Sequence, residues 1–263
     1  MSDQSIVYNS IGIGYNSTRC ADPYLSERLY QLLNPESGKL YLDIGCGSGN
    51  YTLELAKRGI AFWGMDPSAI MLDEAKSKFS EINWLFGFAE NIPLKDEQFD
   101  GAIATLTIHH WNNLEISFTE INRVLKPGSR LVIFTSTPEQ MQGYWLNYYF
   151  PNMMTEANNK MPSLTKVENA LNNAGMKIIV TEKYFVRDDL QDLFLYSCKN
   201  QPELCFDENI RNGISTFALQ SNKDEVQNGL SNLRLDIDNN YLKAIKRQYE
   251  NDFGDYLFII SET

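Results

Sequence analysis

Positive charge is scarce in this sequence of 263 residues: Lys and Arg number 23 against 34 Asp and Glu, a net charge of −11. No run of Lys or Arg offers a stripe for phosphates, so nucleic acid is not an expected partner. Cysteine is sparse as well. Cys20, Cys46, Cys198 and Cys205 are scattered with no CxxC pair. Metal-ligand spacing is therefore absent, and a disulfide framework is not expected in a chain of this length. Histidine occurs only twice, as the adjacent pair His109 and His110. No apolar run approaches the roughly 20 residues that span a bilayer, and the opening MSDQSIVYNS lacks the basic and apolar regions of a signal peptide. No membrane association is expected, and the chain reads as cytoplasmic. Neither repeats nor low-complexity tracts occur.

What is present alternates between two periodicities. ADPYLSERLYQLL (21–33) sets leucines at helical spacing behind Asp22-Pro23. Lys39–Ile44 is a short apolar strand that runs into a glycine-rich turn. A helix (50–58), a strand (60–65), a helix (67–79) and a strand (82–89) follow. A fourth strand lies within 99–110, a helix spans 114–125, and a fifth strand covers 129–137. Strands and helices alternating at this spacing predict an α/β, doubly wound, mostly parallel sheet. The beat breaks at Pro138. Residues 141–154 are dense in aromatics, 165–175 form a helix, 176–186 a strand, 188–250 a polar helical stretch, and 254–262 a last strand, the seventh. The expected organisation is an N-terminal cap segment (1–38), a ligand-binding core (39–137) and an aromatic lid segment (138–164). A core return (165–187), a helical cap insertion (188–250) and a final core strand (251–263) complete it.

The turn reads LDIGCGSGNY (42–51). Glycines at alternate positions between a strand and a helix let backbone approach a ligand and admit positive φ, and the helix N-terminus beyond offers free N–H groups. A phosphate-gripping loop needs GxxxxGK(S/T), and no such lysine exists here. A dinucleotide fingerprint needs GxGxxG, and Gly49 falls one position early. The remaining pattern is D-x-G-x-G-x-G. Asp43 would repel phosphates but suits a ligand with positive charge nearby, such as the α-ammonium and sulfonium of S-adenosylmethionine. Asp66, at the tip of the second strand and 21 residues after Gly45, can accept both ribose hydroxyls; it could equally cap the helix that follows. Met71 is placed to cover an adenine face or to fill the core.

With LDIGCGSGN (42–50), GMDPSAIMLDEAK (64–76), AENIPLKDEQFDGAIATLTIHHW (89–111) and EINRVLKPGSRLVI (120–133) in this order, the chain resembles the class I S-adenosylmethionine-dependent methyltransferases. It is most similar to the type-11 group of ubiquinone/menaquinone-biosynthesis and small-molecule enzymes. The resemblance implies a Rossmann-like core with a mainly helical cap. Asp43, Gly45, Cys46 and Gly47 would hold the amino-acid end of the donor. Asp66 and Pro67 would lie at the ribose, Met71, Ala89 and Glu90 around the adenine, and Leu106 near the sulfonium. The opening YNSIGIGYNSTR (8–19) is similar to the family's N-terminal segment, in which Tyr15 and Arg19 would cover the methionyl carboxylate or simply pack. Phe88 stands where the family commonly has an Asp for the adenine amino group.

The implied reaction is SN2 transfer of a methyl group to a small-molecule acceptor, with S-adenosylhomocysteine as product. A general base is needed where the nucleophile starts protonated. His110, and after it His109, are the candidates, since the carboxyl ends of strands bound the ligand crevice. Adjacent residues diverge, so one of the two is expected to face the acceptor; a structural role beside Trp111 is the competing reading. Tyr8, Tyr15, Trp111, Tyr144, Trp145, Tyr148, Tyr149 and Phe150 are candidates to line a pocket for a flat or apolar acceptor, or to glue the cap to the sheet. Rival functions are a donor-binding protein of the same fold with other chemistry, a non-catalytic binding module, and a nicotinamide oxidoreductase.

Overall fold

Seven strands form one sheet in the computed structural model, which describes residues 18–220 and 222–263. Tyr8 and Tyr15 of the opening segment lie outside the described residues. Helix α1 (Pro23–Leu33) begins at Asp22, whose carboxylate accepts the Leu25 N–H. Then come β1 (Leu40–Ile44), α2 (Asn50–Ala56), β2 (Ala61–Asp66), α3 (Ala69–Lys78), β3 (Asn83–Phe86) and β4 (Phe99–Thr105). Helix α4 (Leu114–Val124) leads directly into β5 (Leu125–Thr135). The strand thus starts before Lys126-Pro127-Gly128, because Leu125 already pairs with Phe99.

The strand order is β3-β2-β1-β4-β5-β7-β6. The first five strands are parallel, and β7 (Tyr256–Glu262) inserts antiparallel between β5 and β6 (Lys177–Tyr184). The order reverses between β1 and β4, the switch point at which such sheets open a crevice beyond the strand carboxyl ends. Alternation along the strands feeds two cores. Ile103, Val132, Phe134 and Phe258 face α1 and the cap. Ala102, Ala104, Leu131, Ile133 and Ile259 face α4 and α8 (Leu164–Asn173).

The cap comprises α5 (Pro138–Gln142), α6 (Leu146–Tyr149) and α7 (Pro151–Lys160) before α8, and α9 (Glu208–Asn212), α10 (Ser215–Gln220), α11 (Lys223–Asp238) and α12 (Leu242–Gln248) after β6. One expectation from the sequence changes here. Cys198 and Cys205 are joined as a disulfide, their Cα atoms 5.7 Å apart. Two short 3-10 turns, Leu195–Cys198 and Pro202–Phe206, fold back on each other, a proximity that spacing alone does not reveal. The aromatic run also serves the core. Tyr144, Trp145 and Phe150 are fully or almost fully buried; Tyr144 stacks on Tyr196 at 4.0 Å between ring centres and Phe150 meets Phe217 edge-on. Tyr149 donates to Asp236 on α11. These rings join cap helices to one another.

Candidate active site

A crevice opens at the switch point, and its wall gathers residues from both halves of the chain. The glycine turn forms its floor. Gly45 has φ +72°, and a Cβ built on it would stand 2.0 Å from Thr107 Oγ1, so the turn after β4 can press against the turn after β1 only because no side chain intervenes. Gly49, φ +76°, packs the same way under Trp84, at 2.3 Å. The first and third glycines therefore serve close packing, whereas Gly47 faces open space.

Gly47 N–H donates to Asp66 Oδ2 at 2.8 Å, and Ser68 N–H donates to Oδ1 at 2.8 Å. The carboxylate at the tip of β2 is thereby aimed along the crevice, with lone pairs left for two hydroxyl donors. Burial pushes its pKa up to about 6, even though both N–H bonds favour the charged form. Asp43 stands behind the turn and is not part of the wall. Its Oδ2 accepts from Thr52 Oγ1 at 2.5 Å, and its buried Oδ1 has no partner among the described residues. Burial, with the nearby Asp66 carboxylate adding to it, lifts its pKa to about 7.

Cys46, Pro67, Met71, Ala89 and Glu90 also reach the wall, as do Gly87 and Phe88. Burial raises the Cys46 thiol well above its ordinary range, which keeps it neutral. The Glu90 carboxylate accepts from Asn112 N–H at 2.6 Å and Asn113 N–H at 3.3 Å, tying the wall to the start of α4. Leu106 lines the crevice with φ +53°, a left-handed conformation uncommon for leucine. Its N–H donates to Phe134 O at 2.8 Å, which holds the kink that ends β4.

Both histidines stand on the wall. A 3-10 turn, Ile108–His110, carries them, with ring centres 3.9 Å apart. The expected divergence of neighbours applies to extended chain; the tight turn defeats it. Burial, and to a smaller extent Lys160, lowers His109 to about 4. Burial lowers His110 well below its ordinary value, with His109 and Lys160 contributing. Both imidazoles are thus neutral near pH 7, and the buried Nδ1 of His109 has no partner among the described residues.

The sequence left the remaining wall unread. Met141, Ala157, Met161, Phe194, Leu195 and Ile214 make it apolar, and Trp111 contributes as expected. Arg19 is on the wall, held by Asp192 through Nε at 2.5 Å and Nη2 at 3.3 Å. Tyr51 also donates to Asp192, at 3.1 Å. Asp192 and Lys160 carry no sequence signal, since neither belongs to a motif and both meet the crevice only through the cap.

A doubly wound sheet with a glycine turn after its first strand and an acid at the tip of β2 is the architecture of enzymes that bind a nucleoside-bearing cofactor. Residues 42–133 match the family described as "Methyltransferase domain". A crystallised protein from Anabaena variabilis, described as "Putative methyltransferase from antibiotic biosynthesis pathway", is 33% identical and superposes with a TM-score of 0.82 over 94% of this chain and 99% of that one. The biotin-biosynthesis bifunctional protein BioHC of Teredinibacter turnerae is 32% identical over 54% of this chain and 27% of its own length. An uncharacterized methyltransferase of Mycobacterium bovis is likewise 32% identical, over 54% of this chain and 57% of its own length. Those two matches span about a quarter and just over half of the relatives concerned. The chain belongs to the class I S-adenosylmethionine-dependent methyltransferases.

The residues present fit that donor. Asp66 has acceptor capacity for a ribose, and the orphaned Asp43 Oδ1 leaves uncompensated acceptor character behind the turn, suited to a nearby ammonium. Gly47 leaves space where the amino-acid end would pass. Among the described residues no helix is long and apolar enough to cross a membrane.

Proposed function

We propose that this protein transfers a methyl group from S-adenosylmethionine to a nucleophilic atom of a small, flat or apolar molecule. The carrying observation is that Gly47 and Asp66, both imidazoles, and the apolar side chains Met141, Phe194, Leu195 and Ile214 line one and the same crevice. S-adenosylmethionine supplies an electrophilic methyl on a good leaving group. Asp66 would hold the ribose hydroxyls, Asp43 would favour the ammonium, and Ala89, Phe88 and Met71 would enclose the adenine. Arg19, already paired with Asp192, would act with it at the amino-acid end. The cap excludes water and fixes the acceptor in line, and alignment of this kind supplies up to roughly 7–11 kcal/mol.

His109, a neutral imidazole on the crevice wall, would serve as the base. It would take the proton that the acceptor loses as the methyl carbon bonds to the nucleophile. Thermal melts distinguish this reading from a nicotinamide enzyme. S-adenosylhomocysteine at about 100 times its Kd is expected to add roughly 2.7 kcal/mol of stability. Stabilisation by NAD(P) alone would refute the proposal.

A further inference from the structure

Three strand ends lie side by side along the crevice. The glycine turn follows β1, Asp66 closes β2, and Gly87, Phe88, Ala89 and Glu90 follow β3. The strands β1, β2 and β3 are neighbours in that order, and Gly87 N–H donates to Asp66 O at 3.3 Å. The turn after β3 therefore begins directly beside the ribose acid. A donor whose amino-acid end passes Gly47 and whose ribose meets Asp66 carries its base over that turn.

The wall at that end is apolar. Met71 and Ala89 are buried, and Phe88 is half-buried. The Phe88 ring meets Phe86 edge-on, with ring centres 5.8 Å apart at 87°. Phe88 O accepts from Asn91 N–H at 3.0 Å, which fixes the turn. Among the side chains of residues 87–90 only Glu90 carries a hydrogen-bonding group. Its Oε1 is tied to the start of α4 by the Asn112 and Asn113 N–H groups. Beyond Phe88 the rim is open, since Phe86 is 52% exposed.

We infer that Phe88 is a specificity-determining residue of the donor site: its ring selects a purine by shape and apolar contact and leaves the exocyclic amino group of adenine unread. A site that hydrogen-bonds a ligand group rejects analogues lacking that group by large factors, whereas apolar contact discriminates weakly. The donor site is then indifferent to the substituent at purine C6. Its ligand class is S-nucleosyl sulfur compounds of purines, wider than the adenosyl compounds alone. The inference rests on the proposed methyl transfer and concerns the base end of the donor.

The test titrates the full chain with S-adenosylhomocysteine and with its analogue bearing hydrogen in place of the amino group at purine C6. The analogue keeps every ring nitrogen as an acceptor, so backbone donors are served equally by both ligands. In the wild type the two should bind within about threefold of each other. Phe88→Asp, which sets a charged acceptor at the base, should create a preference of roughly tenfold or more for the amino compound. Phe88→Leu should weaken both ligands by the same factor. A larger wild-type preference for the amino compound overturns the inference, because an acceptor such as the second Glu90 oxygen would then reach the group. So does a Phe88→Asp protein with the wild-type ratio, or a Phe88→Leu protein that binds both ligands as tightly as the wild type. Failure of S-adenosylhomocysteine itself to bind would instead overturn the underlying methyltransferase reading.

Discussion

Asp66→Asn changes one atom at the point where donor and protein would meet. In the wild type each carboxylate oxygen receives a backbone N–H at 2.8 Å, from Gly47 and from Ser68. Asparagine offers only one acceptor oxygen, so its NH2 must face one of those N–H groups. Ribose hydroxyls also lose a charged acceptor, and hydrogen bonds to charged groups contribute about 1.5–3 kcal/mol. The affinity for S-adenosylhomocysteine should therefore fall by about 10- to 150-fold at pH 7.

A pH signature accompanies the loss. With its pKa near 6 in the free protein, Asp66 is mostly protonated at pH 5, whereas two hydroxyl donors require the carboxylate. Binding releases this proton, so affinity rises with pH and levels off above the free-state value. Between pH 5 and pH 7 this group should account for about tenfold, and the ratio of wild-type to variant affinity should grow by that factor. Isothermal titration in buffers of different ionisation enthalpy measures both quantities. An Asp66→Asn protein that binds within twofold of wild type, or a ratio that does not change with pH, would show that the ribose is not held here.

Asp43→Asn should stabilise the ligand-free protein while weakening donor binding. The folded-state pKa is raised, to about 7, so the stability it contributes is present at low pH and is lost as pH rises from about 4 through 7. The unfolding free energy of the variant relative to wild type should increase by roughly 2–4 kcal/mol across that window in urea titrations, and a constant difference would contradict the burial argument. Gly45→Ala meets Thr107 at 2.0 Å with φ +72°, whereas Gly59→Ala, at φ +82°, meets nothing within 4 Å. Denaturant midpoints should show the first costing roughly 2–5 kcal/mol and the second about 1–2 kcal/mol. His109→Gln should lower kcat by about 10²–10⁴-fold with donor affinity intact, and the acid limb of wild-type kcat/KM should fall near pH 4. An unchanged kcat would remove His109 as the base.

The sequence by itself determined the sheet and the donor end. Strand–helix alternation predicts the first five strands, because period-2 and period-3.6 burial are local properties. The run from Asp43 to Gly49 and the acid at the tip of β2 are legible for the same reason: each strand–turn–helix unit carries its own backbone requirements, although the bond between Gly47 and Asp66 joins two such units. Local reading does not reach contacts between distant segments. The 3-10 turn that turns both imidazoles onto one wall, the Arg19–Asp192 pair 173 residues apart, and the Cys198–Cys205 bond were decided by tertiary folding. So was the fate of the aromatic run, which entered the core because cap helices needed apolar surface to bury against one another. Lys160 shows the limit most plainly. On the sequence it is one lysine among the charged residues of a polar helix. Only the packing of α7 against the other cap helices brings it, still exposed to solvent, onto the wall that carries the histidines.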